Sequence, residues 1–123
     1  MYDVLIIGAG ICGAFMARDL SRYELNVALV DREDDIACGA TMANSAIVHS
    51  GHDPEPGTLK ARFNLEGSRM YEDICRELGV AFKRCGAFVA AASFEEESIL
   101  ERLYERARDR DIPAALLGGE EAL

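Results

Sequence analysis

Two short apolar runs, with a glycine-rich and then helical segment between them, open the chain. Residues 3–7 are largely apolar with β-branched members, and a glycine cluster follows at once, which predicts a strand and then a tight turn. A helix is expected next, because three apolar side chains have helical spacing: Phe15, Met16 and Leu20. Residues 25–30 are again apolar and predict a second, buried strand. The pattern predicts a βαβ unit of about 30 residues with parallel strands.

The middle of the chain, residues 34–57, has no apolar periodicity. Its segment 39–45 consists mostly of small and polar residues, so the backbone there can approach another molecule closely. Loops of this length without regular structure usually have a functional reason.

Two longer helices and a third strand are predicted further along. A helix over 58–78 carries large side chains mostly four residues apart, which predicts a core-facing side: Leu59, Phe63, Met70, Ile74 and Leu78. Gly79 is its expected end. Residues 86–91 predict a strand. Residues 93–110 predict a helix with four residues on one side: Leu100, Leu103, Tyr104 and Ala107.

The number of strands indicates that the chain is incomplete. Residues 118–123 resemble a turn and the opening of a helix. A doubly wound domain needs about four to six parallel strands, and only two convincing strands precede residue 80. We therefore expect a fragment whose further strands come from later sequence or from a companion chain.

Composition narrows the range of partners. The chain has 123 residues with 13 basic and 22 acidic side chains, a net charge of −9, which argues against a nucleic-acid partner. The longest apolar stretch, near residues 87–92, is far shorter than the roughly 20 residues of a spanning helix. Without a basic, cleavable leader the expected location is cytoplasmic, and peripheral membrane association stays open. The four cysteines match neither a zinc pattern nor a C-x-x-C pair, so reduced thiols and no metal site are expected.

The glycine cluster carries the first chemical signal. Gly8, Gly10 and Gly13 fit G-x-G-x-x-G, in which the glycines permit a tight turn, a close pyrophosphate and close helix packing. Phosphates would lie at the helix N-terminus, where the backbone at Ile11 and Cys12 also belongs to the candidate site. The motif lies between a predicted strand and a predicted helix, which strengthens the signal.

A carboxylate at the end of the second strand completes the pattern. Asp31 follows Gly13 by 18 residues and could accept hydrogen bonds from the adenosine ribose hydroxyls. It would repel a 2′-phosphate, which argues against NADP. Arg32 either lies across the adenine or is a surface arginine. The competing interpretation is that the glycines only shape a loop and that Asp31 is a solvated charge.

Three stretches, residues 2–10, 38–51 and 56–61, carry a resemblance to a known family. The chain resembles FAD-dependent oxidoreductases of the D-amino acid oxidase type, and within them most closely the glycerol-3-phosphate dehydrogenase and L-2-hydroxyglutarate oxidase relatives. The resemblance covers residues 1 to about 92, and the second stretch is more specific than the glycines alone.

The resemblance implies an FAD site. The glycines would hold the FAD pyrophosphate and Asp31 the ribose, while three further side chains would reach the phosphates and the flavin side: Thr41, Asn44 and Ser45. His49 would lie near the isoalloxazine ring as a contact, as a structural residue or as a covalent tether, and His52 would belong to an exposed turn. Ala46 stands where relatives often have glycine, which is tolerable unless the backbone needs a positive φ. Cys12 and Cys85 occupy positions that the resemblance marks as packing.

The implied fold is α/β: an incomplete Rossmann-like βαβ unit of the glutathione-reductase type at 1–81, followed by the start of an α+β substrate domain at 82–123. The implied activity is oxidation of a small hydroxy acid or polyol phosphate, with glycerol 3-phosphate favoured, by hydride transfer to flavin. The catalytic residues are not identified by this part of the sequence. One alternative is a nucleotide-binding module that is inactive alone. Another, an NAD-dependent enzyme, would leave the segment 44–49 without a use.

Overall fold

A computed structural model describes residues 1–122 and contains two strands and three helices. The elements are β1 (Val4–Ile7), α1 (Ile11–Leu20), β2 (Val27–Val30), α2 (Leu59–Leu78) and α3 (Phe94–Asp109). They fall into two compact units, one spanning Met1–Ile47 and the other beginning at Val48. The predicted α/β class, the βαβ start and the two longer helices are confirmed.

The first unit is a βαβ unit with a two-stranded parallel sheet. The strands pair in register from Val4 opposite Val27 to Ile7 opposite Val30. Asp3 begins the pairing, because its Oδ2 accepts a hydrogen bond of 2.8 Å from the backbone N–H of Asn26.

Burial of this sheet is one-sided. Ile6 is buried, while its neighbours Leu5 and Ile7 are 56% and 82% exposed. The prediction of a buried second strand is wrong at Val30, which is 44% exposed. The reason is that α1 contacts both strands, and no other helix or strand of the described residues contacts them to a comparable extent. The core of this unit is therefore small, and it lies beneath α1.

Helix α2 has the predicted bounds and a different buried side. Thr58 caps its start, since the Thr58 Oγ1 accepts from the Ala61 N–H at 3.1 Å, and Gly79 ends it in the left-handed conformation at φ 66°. The predicted core side is largely wrong, because four of its five side chains are more than half exposed: Leu59, Phe63, Met70 and Leu78. Ala61 and Cys75 are buried instead. Within residues 1–122, the buried residues of α2 are small and most of its large side chains are exposed, although Leu65 and Ile74 are half-buried.

The predicted strand at residues 86–91 is wrong. Residues 80–92 form no helix or strand. A strand needs a neighbouring strand to pair with its backbone groups, and the described part of the chain offers none here.

Helix α3 follows the prediction closely. Ser93 caps it, with its Oγ accepting from the Glu96 N–H, and Arg110 closes it. Ala107 is buried, and the other three residues of the predicted side are half-buried: Leu100, Leu103 and Tyr104. Beyond it, the Ala122 N–H donates to the Gly118 carbonyl, which confirms a turn. The predicted helix opening extends to Leu123, which lies outside the described residues.

In the part of the chain that the structure describes, every helix is either too short or too polar to span a membrane.

Candidate functional site

The turn between β1 and α1 is closed by backbone groups. Gly8 has a φ of +106°, a conformation that glycine adopts without strain, and its N–H donates to the Val30 carbonyl at 2.7 Å. A Cβ at Gly13 would lie 1.9 Å from the Gly8 carbonyl oxygen. No side chain fits in that space, so the first turn of α1 packs directly on the turn that precedes it.

The start of α1 presents unused hydrogen-bond donors. Gly10 is the N-cap residue and has no side chain to accept from the first amides. Within residues 1–122, no group accepts a hydrogen bond from the N–H of Gly10, Cys12 or Gly13, whereas the Ala14 N–H makes the first helical bond to the Gly10 carbonyl. Unpaired amides at the positive end of the helix dipole form an anion site. A pyrophosphate fits this donor set.

Asp31 fixes the same turn from the end of β2. Its Oδ2 accepts from the Ala9 N–H at 2.6 Å, and its Oδ1 accepts from the Glu33 N–H at 3.1 Å. These bonds, that of Ala9 first, hold the pKa of Asp31 below its ordinary value. The carboxylate is therefore ionised at neutral pH, and it has about two acceptor positions left for hydroxyl donors.

Thr41 ties the segment after β2 to the start of α1. Its Oγ1 accepts from the Ile11 N–H at 2.9 Å, and a Cβ on Gly10 would lie 3.1 Å from that same oxygen. The Ala37 N–H adds a bond of 3.0 Å to the Ala9 carbonyl. These two hydrogen bonds join the segment after β2 to the glycine turn.

Asn44 stabilises the next part of that segment. Its amide nitrogen donates to the Thr41 carbonyl, and its Oδ1 accepts from the Ala46 N–H at 2.7 Å. Ala46 has a φ of +53°. The condition under which alanine is unfavourable at this position, a positive φ, is therefore met.

The other candidates of the first unit lie at its surface. The Arg32 Nε is 2.8 Å from the Glu33 Oε1, and the Arg32 side chain is 89% exposed. Ile11, Cys12 and Ser45 are also exposed. The packing expected for Cys12 and Cys85 is wrong, because both thiols are exposed, whereas Cys75 is the buried one. All four cysteines are free.

His49 belongs to the second unit, in a loop that runs to residue 55. Its side chain is exposed. The Ser50 Oγ lies 2.7 Å from the His52 Nδ1. Gly51 has a φ of +102°, and a Cβ there would lie 3.2 Å from the Leu65 Cα. Gly51 and Pro54 are buried, so the turn around His52 is less exposed than predicted.

Sequence reasoning missed two arginines that hold this loop. Arg110 donates to the carbonyls of Gly51 and Pro54, and Arg106 donates to the Asp53 carbonyl and to the Glu55 carboxylate. Each arginine and its acceptors are more than 50 residues apart along the chain, and no local sequence motif predicts such contacts. Among the described residues, no group of three or more His, Cys, Asp or Glu side chains is arranged to hold a metal ion.

Comparisons with known proteins show the family of this chain. The sequence pattern of the family described as FAD dependent oxidoreductase (DAO) matches residues 3–123. A glycerol 3-phosphate dehydrogenase of Caloramator mitchellensis is 49% identical over 113 residues, which are 92% of this chain and 24% of that protein. An L-2-hydroxyglutarate dehydrogenase of Escherichia coli K12 is 35% identical over 123 residues, 98% of this chain and 29% of that protein.

A solved structure of an FAD-bound oxidase also matches this chain. The dithionite-reduced L-alpha-glycerophosphate oxidase of Mycoplasma pneumoniae with FAD bound superimposes with a TM-score of 0.85 at 30% identity, covering 98% of this chain and 33% of that one. The chain belongs to the FAD-dependent oxidoreductase family, and it spans about a quarter to a third of the length of these relatives.

Proposed function

We propose that this chain forms the adenine-nucleotide side of the FAD site in an oxidoreductase that acts on glycerol 3-phosphate. The observation that carries the proposal is the turn between β1 and α1, where three backbone amides at the start of the helix have no acceptor within residues 1–122. The family match to FAD-dependent oxidoreductases supports FAD as the dinucleotide.

Each residue of the turn has a part in holding the nucleotide. The N–H groups of Gly10, Cys12 and Gly13 would donate to the pyrophosphate oxygens without any basic side chain, which suits a chain of net charge −9. Asp31 would accept from the ribose hydroxyls with the positions that Ala9 and Glu33 leave free. Arg32 would be a surface arginine, since it already pairs with Glu33.

The segment after β2 would lead the site from the phosphates towards the flavin. The Thr41 Oγ1 accepts from the Ile11 N–H, which holds the side chain at the helix start, and its O–H would donate to a phosphate oxygen. Asn44 and Ser45 would approach the flavin side, and His49 would lie near the isoalloxazine ring, as the family resemblance implies. Residues 1–81 would then belong to the FAD domain and 82–123 to the start of the substrate domain.

The bound flavin would accept a hydride from the substrate carbon that carries the hydroxyl group. Glycerol 3-phosphate is proposed because two relatives of this chain carry that substrate in their names, one of them 49% identical. L-2-hydroxyglutarate is the second candidate, because dehydrogenases of that name match over as much as 98% of the chain. The groups that anchor the substrate would lie in the rest of the protein.

A third reading is a nucleotide-binding module without catalytic activity. It is supported by the exposed strand residues Leu5, Ile7 and Val30, which leave the two-stranded sheet with a small core. In this case the chain would bind FAD weakly or only with a companion chain.

Anaerobic bleaching of the flavin tests the proposal. The whole protein that carries this chain is loaded with FAD, and the visible absorbance of the oxidised flavin is followed after each substrate is added. We expect glycerol 3-phosphate to bleach the band and L-2-hydroxyglutarate to leave it unchanged. Bleaching by L-2-hydroxyglutarate alone would replace the proposed substrate, and bleaching by neither would favour the inactive module.

A further inference from the structure

Helix α2 carries an apolar stripe along its exposed side. Six residues form this stripe, at intervals of four, four, three, four and four residues: Leu59, Phe63, Gly67, Met70, Ile74 and Leu78. Four of its five large side chains are more than half exposed, and Ile74 is half-buried. The stripe runs the length of the helix, about 30 Å. The part of the chain that the structure describes thus leaves in solvent an apolar surface of the kind that marks an interaction site.

The intervals of the stripe are the same when it is read from either end of the helix. In an antiparallel pair of copies related by a two-fold axis, each member therefore lies opposite another member: Leu59 opposite Leu78, Phe63 opposite Ile74, and Gly67 opposite Met70. A two-fold interface requires one surface to be complementary to itself, and the stripe meets that condition.

Gly67 supplies space at the centre of the stripe. Glycine inside a helix is unfavourable relative to alanine. A Cβ on Gly67 would meet nothing within 4 Å, so contacts among residues 1–122 do not require glycine at this position. In the antiparallel pair, the Met70 side chain of the second copy would fill this space.

The charged residues along one edge of the stripe alternate in sign. They are all exposed, and they run plus, minus, plus, minus: Arg62, Glu66, Arg69 and Asp73. In a reversed copy Arg62 would lie opposite Asp73, and Glu66 would lie opposite Arg69. These pairs are offset by about 3 Å from the register of the stripe, a distance that an arginine side chain spans. A parallel pair would instead place each charge beside its own copy.

The ion pairs within α2 leave this edge able to bind a second copy. The Arg62 Nε is 2.9 Å from the Glu66 Oε1, and the Arg76 side chain is 2.7 Å from Asp73. All four side chains are at least half exposed, and exposed pairs of this kind contribute little within one chain. An arginine has five N–H donors, so each can hold a further carboxylate across an interface.

We propose that the apolar stripe of α2 is a homodimer interface, in which two copies of the protein pack their α2 helices antiparallel about a two-fold axis. A second copy is favoured over an unlike partner because the stripe and its charged edge each match their own reversal. Two helices of 20 residues bury less than a standard interface, so we expect weak association with a micromolar Kd. This interface is independent of the cofactor and of the substrate.

Sedimentation velocity of the whole protein, from about 1 to about 100 μM, tests the interface. Phe63→Asp places a charge in the stripe, and Asp73→Arg places an arginine opposite Arg62 of the second copy. Phe94→Asp is the matched control, because Phe94 is an exposed phenylalanine at the start of α3, outside the stripe.

We expect the wild-type protein to change from monomer to dimer over this range. Phe63→Asp should raise the Kd by about 30-fold or more, the effect of losing a central interface residue. Asp73→Arg should raise it by about fivefold, because the interface contains the pair with Arg62 twice. Adding Arg62→Asp to Asp73→Arg exchanges the two charges and should restore dimerisation, and Phe94→Asp should match the wild type.

A whole protein that stays monomeric at every concentration would overturn the proposal and leave the rest of the polypeptide as the occupant of the stripe. In that case Phe63→Asp would lower the melting temperature of the monomer. A dimer that Phe63→Asp leaves intact, or that Phe94→Asp weakens equally, would also contradict the proposal. If Phe63→Asp does not fold, Asp73→Arg and the charge exchange decide by the same readout, because both residues are exposed.

Discussion

The turn between β1 and α1 is held by backbone amides and one carboxylate, whereas the loop at residues 49–55 is held by the side chains of Arg106 and Arg110, more than 50 residues further along the chain than their partners. Both segments are irregular and both contain a glycine at positive φ, Gly8 and Gly51. The first turn has donors left over, and the second loop has its carbonyls occupied.

This difference in unpaired backbone groups indicates which role each segment can have. Free amides at a helix start favour an anion, so the first turn is a binding surface formed by the main chain. Carbonyls bonded to guanidinium groups restrain the backbone, so the second loop is a support for the side chains it carries. Substitutions that remove individual contacts of the first turn and the segment after it test this comparison. They are given from the largest expected effect to the smallest.

Gly13→Ala should have the largest effect. The new methyl would lie 1.9 Å from the Gly8 carbonyl oxygen, so α1 has to move away from the turn. We expect a loss of about 3 kcal/mol in the free energy of unfolding and the loss of FAD binding. Denaturant unfolding and flavin retention measure both. Gly39→Ala is the control, because a Cβ there meets nothing within 4 Å, and an equal loss in Gly39→Ala would refute the steric explanation.

Asp31→Asn should weaken FAD binding at least about tenfold, because the ribose loses a charged acceptor. Asparagine can still accept from the Ala9 N–H, so the fold should persist. Titration of the protein with FAD, followed by flavin fluorescence, measures the change. Asp34→Asn, an exposed neighbour, should bind FAD like wild type, and equal weakening in both variants would contradict a specific role of Asp31.

The same carboxylate gives a pH dependence. The pKa of Asp31 is lowered in the folded chain, so its stabilising contribution is complete above the ordinary aspartate pKa of about 3.9. It is lost as the pH falls through the lower folded value. The difference in stability between wild type and Asp31→Asn should therefore shrink below about pH 4, and urea unfolding at several pH values measures it. A difference that grows with acid would contradict this assignment.

Thr41→Val should cost about 1 kcal/mol, as for the loss of a helix cap, because the Ile11 N–H loses its acceptor while side-chain volume is kept. Thr41→Ser retains the hydroxyl and should recover most of the loss. Chemical unfolding of the two variants measures the difference. Equal stabilities would mean that the bond from Ile11 contributes nothing measurable.

Ala46→Gly should have the smallest effect and the opposite sign. Glycine removes the strain of φ +53°, about 1 kcal/mol, and loses about half of that gain to the greater freedom of the unfolded chain. Thermal unfolding should show a slight rise in melting temperature. Ala43→Gly, a neighbour without a positive φ, should lower it, and a fall in both variants would contradict the strain argument.

The elements and the turn of the first unit could be predicted from the sequence because their determinants are local, whereas the burial of Val30 and Cys12 could not. Gly8, Gly13 and Asp31 lie within one βαβ unit, and their spacing alone predicts the turn and the carboxylate beside it. The helix bounds could also be predicted from the sequence, because Thr58 and Ser93 cap the starts of their own helices and Gly79 ends α2.

The predictions that failed depend on residues far apart in the sequence, or on packing partners that residues 1–122 do not provide. The expected core side of α2 is exposed because nothing in residues 1–122 covers it, and the strand at 86–91 has no partner. Arg106 and Arg110 could not be found from spacing, because their partners are backbone carbonyls that any sequence provides.

The most direct test of the central claim is the visible spectrum of the whole protein after incubation with FAD, gel filtration and acid precipitation. We expect a flavin band that co-elutes with the protein and is released into the supernatant by acid. A band that stays with the precipitate would assign a covalent tether, with His49 as the first residue to substitute. A protein that elutes without any flavin band would contradict the claim that the glycine turn binds FAD.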